Sequence, residues 1–415
     1  MEMNFQRKHD NKKGNEQPYE QWVAITDSLF AEIFKGRNTV MPGLASFYSE
    51  QAVTRLSFVA PNHPVMKQFF TIVTTVRFST LLLEYIYKQT DYSSDGYASQ
   101  LQSLFSYFQR KIDDSVQSIA KPVSFNYDSV IQTLAKDVRE LLYFDGVLQQ
   151  EVLAIYWSLW NHLFINNLLR AEELAFAEKM AARSEHDSAW KVGYAIQLFL
   201  VNQVDSAIEV LKLAGDKNMT FLYHWLQMYG RQRKWNEFGK LAHYYFDLDG
   251  DMEQLSPYER MRNFRYIQDY LFDYTAKINN LDLYEKAIMS MLPYSKEELI
   301  DFYINTEQYD KLVNYLIYAG ITAVDIATPI LTMIQKQQPE LLLPFYHQTV
   351  KYFVERKNRQ SYRVAVRFLK RLRTIYKKLK QQEEWDRFFQ WLLGETRRLK
   401  AFQEECRRGK LIEDD

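Results

Sequence analysis

The residues that could do chemistry are few, and their spacing assembles no reactive set. The chain contains neither GxxxxGK[ST] nor GxGxxG, so no glycine loop offers its backbone N–H groups to a phosphate. Seven histidines, His9, His63, His162, His186, His224, His243 and His347, form no HExxH and have no cysteine at ligand spacing. His162, His224 and His347 stand beside aromatics in helix-period segments and read as core or surface histidines. Asp247, Asp249 and Asp251 fall on the first, third and fifth positions of a calcium loop. Gly250 comes two positions too early and Tyr258 replaces the bidentate glutamate, so an ordinary acidic turn is expected. The single cysteine, Cys406, has Arg407, Arg408 and Lys410 beside it, and such neighbours lower a thiol pKa. No base or acid accompanies it. The sequence thus names no catalytic residue, no metal ligand and no cofactor, and it points to a non-enzymatic protein.

What remains is electrostatic. Residues 356–380, RKNRQSYRVAVRFLKRLRTIYKKLK, hold eleven Lys or Arg and no Asp or Glu. Ala365, Phe368, Leu369, Leu372, Ile375, Tyr376 and Leu379 follow the i, i+3, i+4, i+7 pattern of a helix with one buried stripe. Arg363, Arg367, Lys370, Arg371, Lys377 and Lys378 fall on the other faces and are the candidate contacts for an anionic partner or nucleic acid. The chain as a whole is neutral, with 52 basic and 52 acidic residues. Residues 356–410 nevertheless carry 18 basic and 6 acidic side chains, a surplus of twelve balanced by a deficit of twelve elsewhere. A basic end on an acidic body predicts an anionic partner or contact between tail and body.

The elements that must position this helix are themselves read as helices. At 415 residues the chain exceeds one ordinary core, and 13 Gly and 10 Pro are too sparse for a fold made of many turns. Apolar residues make up 47% and aromatics 15%, the filling of stacked helical hairpins. The expected fold is all-α. Residues 1–17 read as a disordered arm, 18–170 as an N-terminal helical module, 171–354 as an αα-repeat region and 355–415 as basic C-terminal helices. Within the module, helices fit 65–89, 97–120 and 128–144, with one long helix over 146–170. The β-branched run TIVTTV at 71–76 is the place where a strand competes. The polar N-terminus lacks a secretory core, one cysteine fits a reducing compartment, and no apolar run approaches the roughly 20 residues that span a bilayer. A cytoplasmic protein without a membrane partner is expected.

Four stretches share one form: they begin at Asn202, Arg233, Glu307 and Glu383, and in each Val204, Trp235, Tyr309 or Trp385 precedes Asp or Asn. This reads as a hydrophobic staple ahead of an N-cap. Their spacings of 31, 74 and 76 residues are close to one, two and two units of an αα-hairpin repeat, so a tetratricopeptide-like solenoid is expected. Such repeats bind proteins or peptides. The expected function is a helical-repeat scaffold with a protein or peptide partner. The alternatives are a nucleic-acid-associated protein using the basic helix and a peptide-sensing tetratricopeptide-type regulator.

Residues 362–412 resemble the C-terminal end of bacterial SWIM zinc-finger family proteins. The similarity rests on the closing run Arg398, Leu399, Ala401, Phe402, Gln403, Glu404, Glu405, Arg407 or Arg408, Gly409, Lys410 and Leu411. The resemblance implies a bacterial cytoplasmic protein whose helical part is an interaction scaffold. The family's CxC…CxH finger has no counterpart in this chain, which has one cysteine, so zinc binding passes to no residue here.

Overall fold

The structure is a computed structural model. It describes residues 18–35, 42–88, 95–119, 123, 125–144, 146, 148–183, 188–214, 222–247 and 257–412. The expected arm over 1–17, His9, His186 and the calcium-like loop beyond Asp247 lie outside the described residues. Among the described residues the chain is all-α, with no strand. It divides into two compact units, residues 1–280 and 281–415. The expected boundary after 170 falls inside a helix of the first unit, and that after 354 falls at the end of a helix of the second.

The first unit opens with α1 (Pro18–Phe34), α2 (Pro42–Val59) and α3 (Pro64–Tyr87). Helix α3 is its core element and packs on α1 and α2, on α4 (Asp95–Ser118) and on α5 (Asp128–Glu140). The competing strand at 71–76 is absent because the β-branched residues are satisfied as helix. Thr74 donates its hydroxyl to the Phe70 carbonyl (2.8 Å), and Ser79 and Thr80 donate to Thr75 and Val76 (2.8 and 3.2 Å). Such back-bonding satisfies a hydroxyl that could not otherwise be buried. This helix also corrects the expectation about apolar runs. Among the described residues α3 alone is long and apolar enough to cross a membrane, and 72% of its most apolar window is buried inside the protein.

The long helix expected over 146–170 is two helices, α6 (Gln149–His162) and α7 (Asn167–Arg183). The break is built from side chains that a periodicity cannot register. Arg170 donates to the Phe164 and Trp160 carbonyls (2.9 and 3.1 Å), so the open end of α6 is not left unsatisfied. The Asn166 carboxamide accepts from the Leu168 N–H at 2.9 Å and caps α7. Helices α8 (Ser188–Leu200) and α9 (Val204–Ala214) form a hairpin on α7, followed by the pair α10 (Leu222–Arg231) and α11 (Trp235–Asp247). After α12 (Pro257–Phe264), α13 (Gln268–Lys277) lies against α10. Gly230 permits that approach, since a Cβ there would sit 2.5 Å from the Tyr270 ring.

The second unit runs α14 (Asp282–Met289), α15 (Lys296–Asn305), α16 (Tyr309–Tyr318), α17 (Thr328–Gln337), α18 (Leu342–Glu355), α19 (Arg359–Lys378), α20 (Gln382–Glu395) and α21 (Lys400–Arg408). Helix α19 is its hub, in contact with α18, α20 and α21.

The recurrent stretches do mark turns, but their mechanism differs from the expected staple and cap. Val204, Trp235 and Tyr309 are the first residues of their helices, and Trp385 lies one turn inside α20. The turns are closed from the preceding helix instead. Asn202, Arg233, Glu307 and Lys380 take positive φ of 62°, 54°, 57° and 59°. The next residue's N–H then returns to a carbonyl five residues back: Gln203 to Leu198, Lys234 to Tyr229, Gln308 to Tyr303 and Gln381 to Tyr376, each at 2.9 Å. This is a Schellman closure without glycine, and Asn279 and Lys410 repeat it.

Candidate functional site

The basic helix α19 is set in place by its own sequence. Asn358 accepts from the Ser361 N–H at 2.9 Å and caps its start. Tyr362, Ala365, Phe368, Leu369, Leu372, Ile375 and Tyr376 are buried, as the periodicity requires. The cations occupy what is left. At 100° per residue Arg359, Arg363, Arg367, Lys370, Arg371, Lys377 and Lys378 share an arc of about 120°, and Gln360 and Thr374 are the other residues on it.

The six expected contact residues do not stand alike. Arg363 pairs with Glu405 of α21 at 3.6 Å. Glu405 is itself buried, and it also meets Arg359 and Arg408, each at 3.2 Å, while Glu404 holds Arg359 as well. Lys378 donates to the Gln335 carbonyl at 2.8 Å, in the last turn of α17, where carbonyls lack helical partners. Arg371 and Arg367 lie over the Phe368 ring at 5.0 and 5.3 Å. Lys370 and Lys377 are exposed and make no ion pair among the described residues. Part of the basic surplus is therefore answered by the acidic residues of α21, within the same unit.

That terminal helix corrects the reading of Cys406. The thiol is fully buried, and burial pushes its pKa up to about 12, against the lowering by Arg407. Desolvation outweighs a neighbouring charge that remains in solvent. Of the three histidines beside aromatics, His162 and His224 are exposed and His347 is half-buried. His224 stacks on Trp157 at 4.6 Å, and desolvation of its ring by these neighbours holds its pKa below the usual imidazole value. His347 meets the Tyr376 hydroxyl at 2.8 Å and the edge of Phe388 at 4.1 Å, and burial lowers its pKa to about 4. Among the described residues no cluster of His, Cys, Asp or Glu could hold a metal ion.

Two features escaped the sequence. The first is a buried polar network in the first unit. Glu173 of α7 is fully enclosed and held by Arg139 of α5 and by the Tyr156 hydroxyl (2.8 Å), which accepts in turn from the Gln197 carboxamide (2.8 Å). Arg139 also lies over Phe176 at 4.4 Å. Burial raises the Glu173 pKa and Arg139 opposes it. Every member has a partner, and Arg139 alone reaches solvent, with 16% of its side chain exposed, which makes this a device of core specificity. The only hint in the sequence is a glutamate amid alanines and leucines in RAEELAFAEK.

The second is a groove of about 450 Å³ where the α6–α7 break meets α5. Ile131, Leu163 and Leu169 line it, Ile165 and Leu168 stand 47% and 77% exposed at its mouth, and Asp128, Lys136 and Glu172 add charge to its walls. The break aims these side chains outward, so no helix-long pattern announces them. A second groove of about 460 Å³ lies between α9 and α11, crossed by the Lys240–Asp205 pair at 2.5 Å.

No protein-family model matches the chain, and no solved structure does. It is similar to the uncharacterised protein YwqB of Bacillus subtilis (strain 168), with 26% identity over 424 aligned positions covering 97% of this chain and 75% of that protein.

Proposed function

We propose that the chain is a non-enzymatic, cytoplasmic scaffold of tetratricopeptide-like hairpins that holds a segment of another protein. The observation that carries this reading is the groove beside the α6–α7 break. It has an apolar floor, two exposed aliphatic side chains at its mouth and charged walls of both signs. Protein interfaces combine an apolar centre with a polar rim, and an amphipathic helix is the segment that fits a groove between helices. The recurrent Schellman turns support the repeat reading, since those at Asn202, Arg233, Glu307 and Lys380 each join two packed helices through three residues. The likeness of residues 362–412 to the end of SWIM zinc-finger proteins supports the same scaffold role, and α21 gives its closing run a structural reason. Phe402 and Cys406 are buried there, and Gly409 lies against Val366.

The test is a photo-crosslinking amino acid placed at Leu168 of the full chain in cells. A discrete adduct whose peptide partner is an amphipathic segment, abolished by Ile165→Glu, is the expected outcome. A probe at Phe58, 82% exposed on α2, serves as the control. Equal labelling from both positions, or none from Leu168, overturns the reading.

A further inference from the structure

We propose that the solvent-facing arc of α19 binds the phosphodiester backbone of duplex nucleic acid. Seven of the nine positions on that arc are Lys or Arg, the other two are Gln360 and Thr374, and none is acidic. From Arg363 to Lys377 the row extends roughly 21 Å along the helix at 1.5 Å per residue. A duplex presents one charge every 1.7 Å or so of its axis, and cations in a row release the counterions condensed there.

The other polyanions fit less well. A protein interface needs an apolar centre, and this arc offers no apolar side chain. A membrane surface is gripped by an apolar face inserted beneath the charges, and that face of α19 is spent against α18, α20 and α21. The aromatic side chains of the helix, Tyr362, Phe368 and Tyr376, are buried as well, so bases have nothing to stack upon. What is left is contact with phosphate, without sequence selection.

The structure also apportions the cations. Arg359 and Arg363 are engaged by Glu404 and Glu405, and Lys378 by carbonyls of α17. Arg367, Lys370, Arg371 and Lys377 carry no ion pair among the described residues and form the available set. Four phosphate contacts give a slope of about −3.6 for log affinity against log salt, hence a loss of about 10²-fold between 50 and 200 mM.

The experiment is fluorescence anisotropy of a 20-base-pair duplex of arbitrary sequence with the full chain, titrated across that salt range. Arg367→Gln/Lys370→Gln/Lys377→Gln removes three exposed charges and leaves Arg371, which packs on Phe368, in place. Its helicity and unfolding midpoint should match the parent, its slope should fall to about −1, and its salt-induced loss should shrink to about 3-fold. The charge-matched variant Lys296→Gln/Lys351→Gln/Arg387→Gln, off the arc, should bind as the parent does. Absence of binding at 50 mM salt overturns the proposal. So does equal weakening by the charge-matched variant, which would reduce the effect to net charge. Displacement of the duplex by polyglutamate at equal charge concentration would assign the arc to an acidic protein. Binding to phosphatidylserine vesicles but not to DNA would assign it to a membrane.

Discussion

At the scale of single residues, burial decides what a side chain does here more often than its neighbours in sequence. Cys406 has three cations within four residues and is still an inert thiol, because it lies under α19. Glu405 is an acid in a basic tail, and its burial among Arg359, Arg363 and Arg408 makes it the fastening of the last helix. His347 converts the same effect into a pH dependence. Its pKa is depressed from 6.5 to about 4 in the folded chain. The unfolded chain takes up this proton as pH falls below 6.5, and the folded chain does not until about 4. The contribution is therefore complete above pH 6.5 and lost as pH falls towards 4. Between pH 7 and 5 the loss is about 2 kcal/mol at one group. Protection of the α18–α19 amides, taken relative to their intrinsic exchange rate at each pH, should fall over that range in the parent. In His347→Gln, which keeps a polar group facing Tyr376, it should fall less; an equal fall in both would remove His347 as the cause.

Among the elements, α19 shows how one helix serves two ends. Its apolar stripe is read from spacing alone, and each buried position expected was found buried except Leu379, which is half-buried. Its partners could not be read. They arrive from α18 before it and from α20 and α21 after it, and Gly409 lies close enough that a Cβ there would meet the Val366 Cγ1 at 2.5 Å. Gly409→Ala is expected to destabilise the α19–α21 contact by about 1–3 kcal/mol, the range for overpacking. Faster exchange of the α21 amides, with α14 and α15 unaffected, would confirm it, and unchanged exchange would refute it. The turns carry a related lesson. Asn202, Arg233 and Glu307 were visible as the starts of recurring stretches, whereas Lys380 lies three residues before the fourth, and αL closure by residues other than glycine has no residue signature of the kind glycine supplies.

For the whole molecule, the two units each have a core. Leu299, Phe345, Tyr346, Phe368, Leu372 and Phe402 are buried within residues 281–415. Those 135 residues are of ordinary domain size. Expressed alone, this segment is expected to show a helical circular dichroism spectrum and one cooperative unfolding transition. A non-cooperative, weakly helical segment would show that its core is incomplete. The neutral total charge conceals a basic end, and part of that end is neutralised by its own terminal helix.

The amino-acid sequence determined the all-α class, the buried stripe of α19 and the location of the hairpin turns. These depend on spacing within one element, and spacing is local. The tertiary structure alone decided the break at Leu163–Asn166, the enclosure of Glu173, the inertness of Cys406 and the division of the α19 cations into engaged and available sets. Each of these depends on a group brought from elsewhere in the chain, such as Arg170 onto Trp160, Arg139 onto Glu173 and Glu405 onto Arg363. No local pattern encodes the free energy of such a meeting, because it is set by desolvation and by the partner that compensates it.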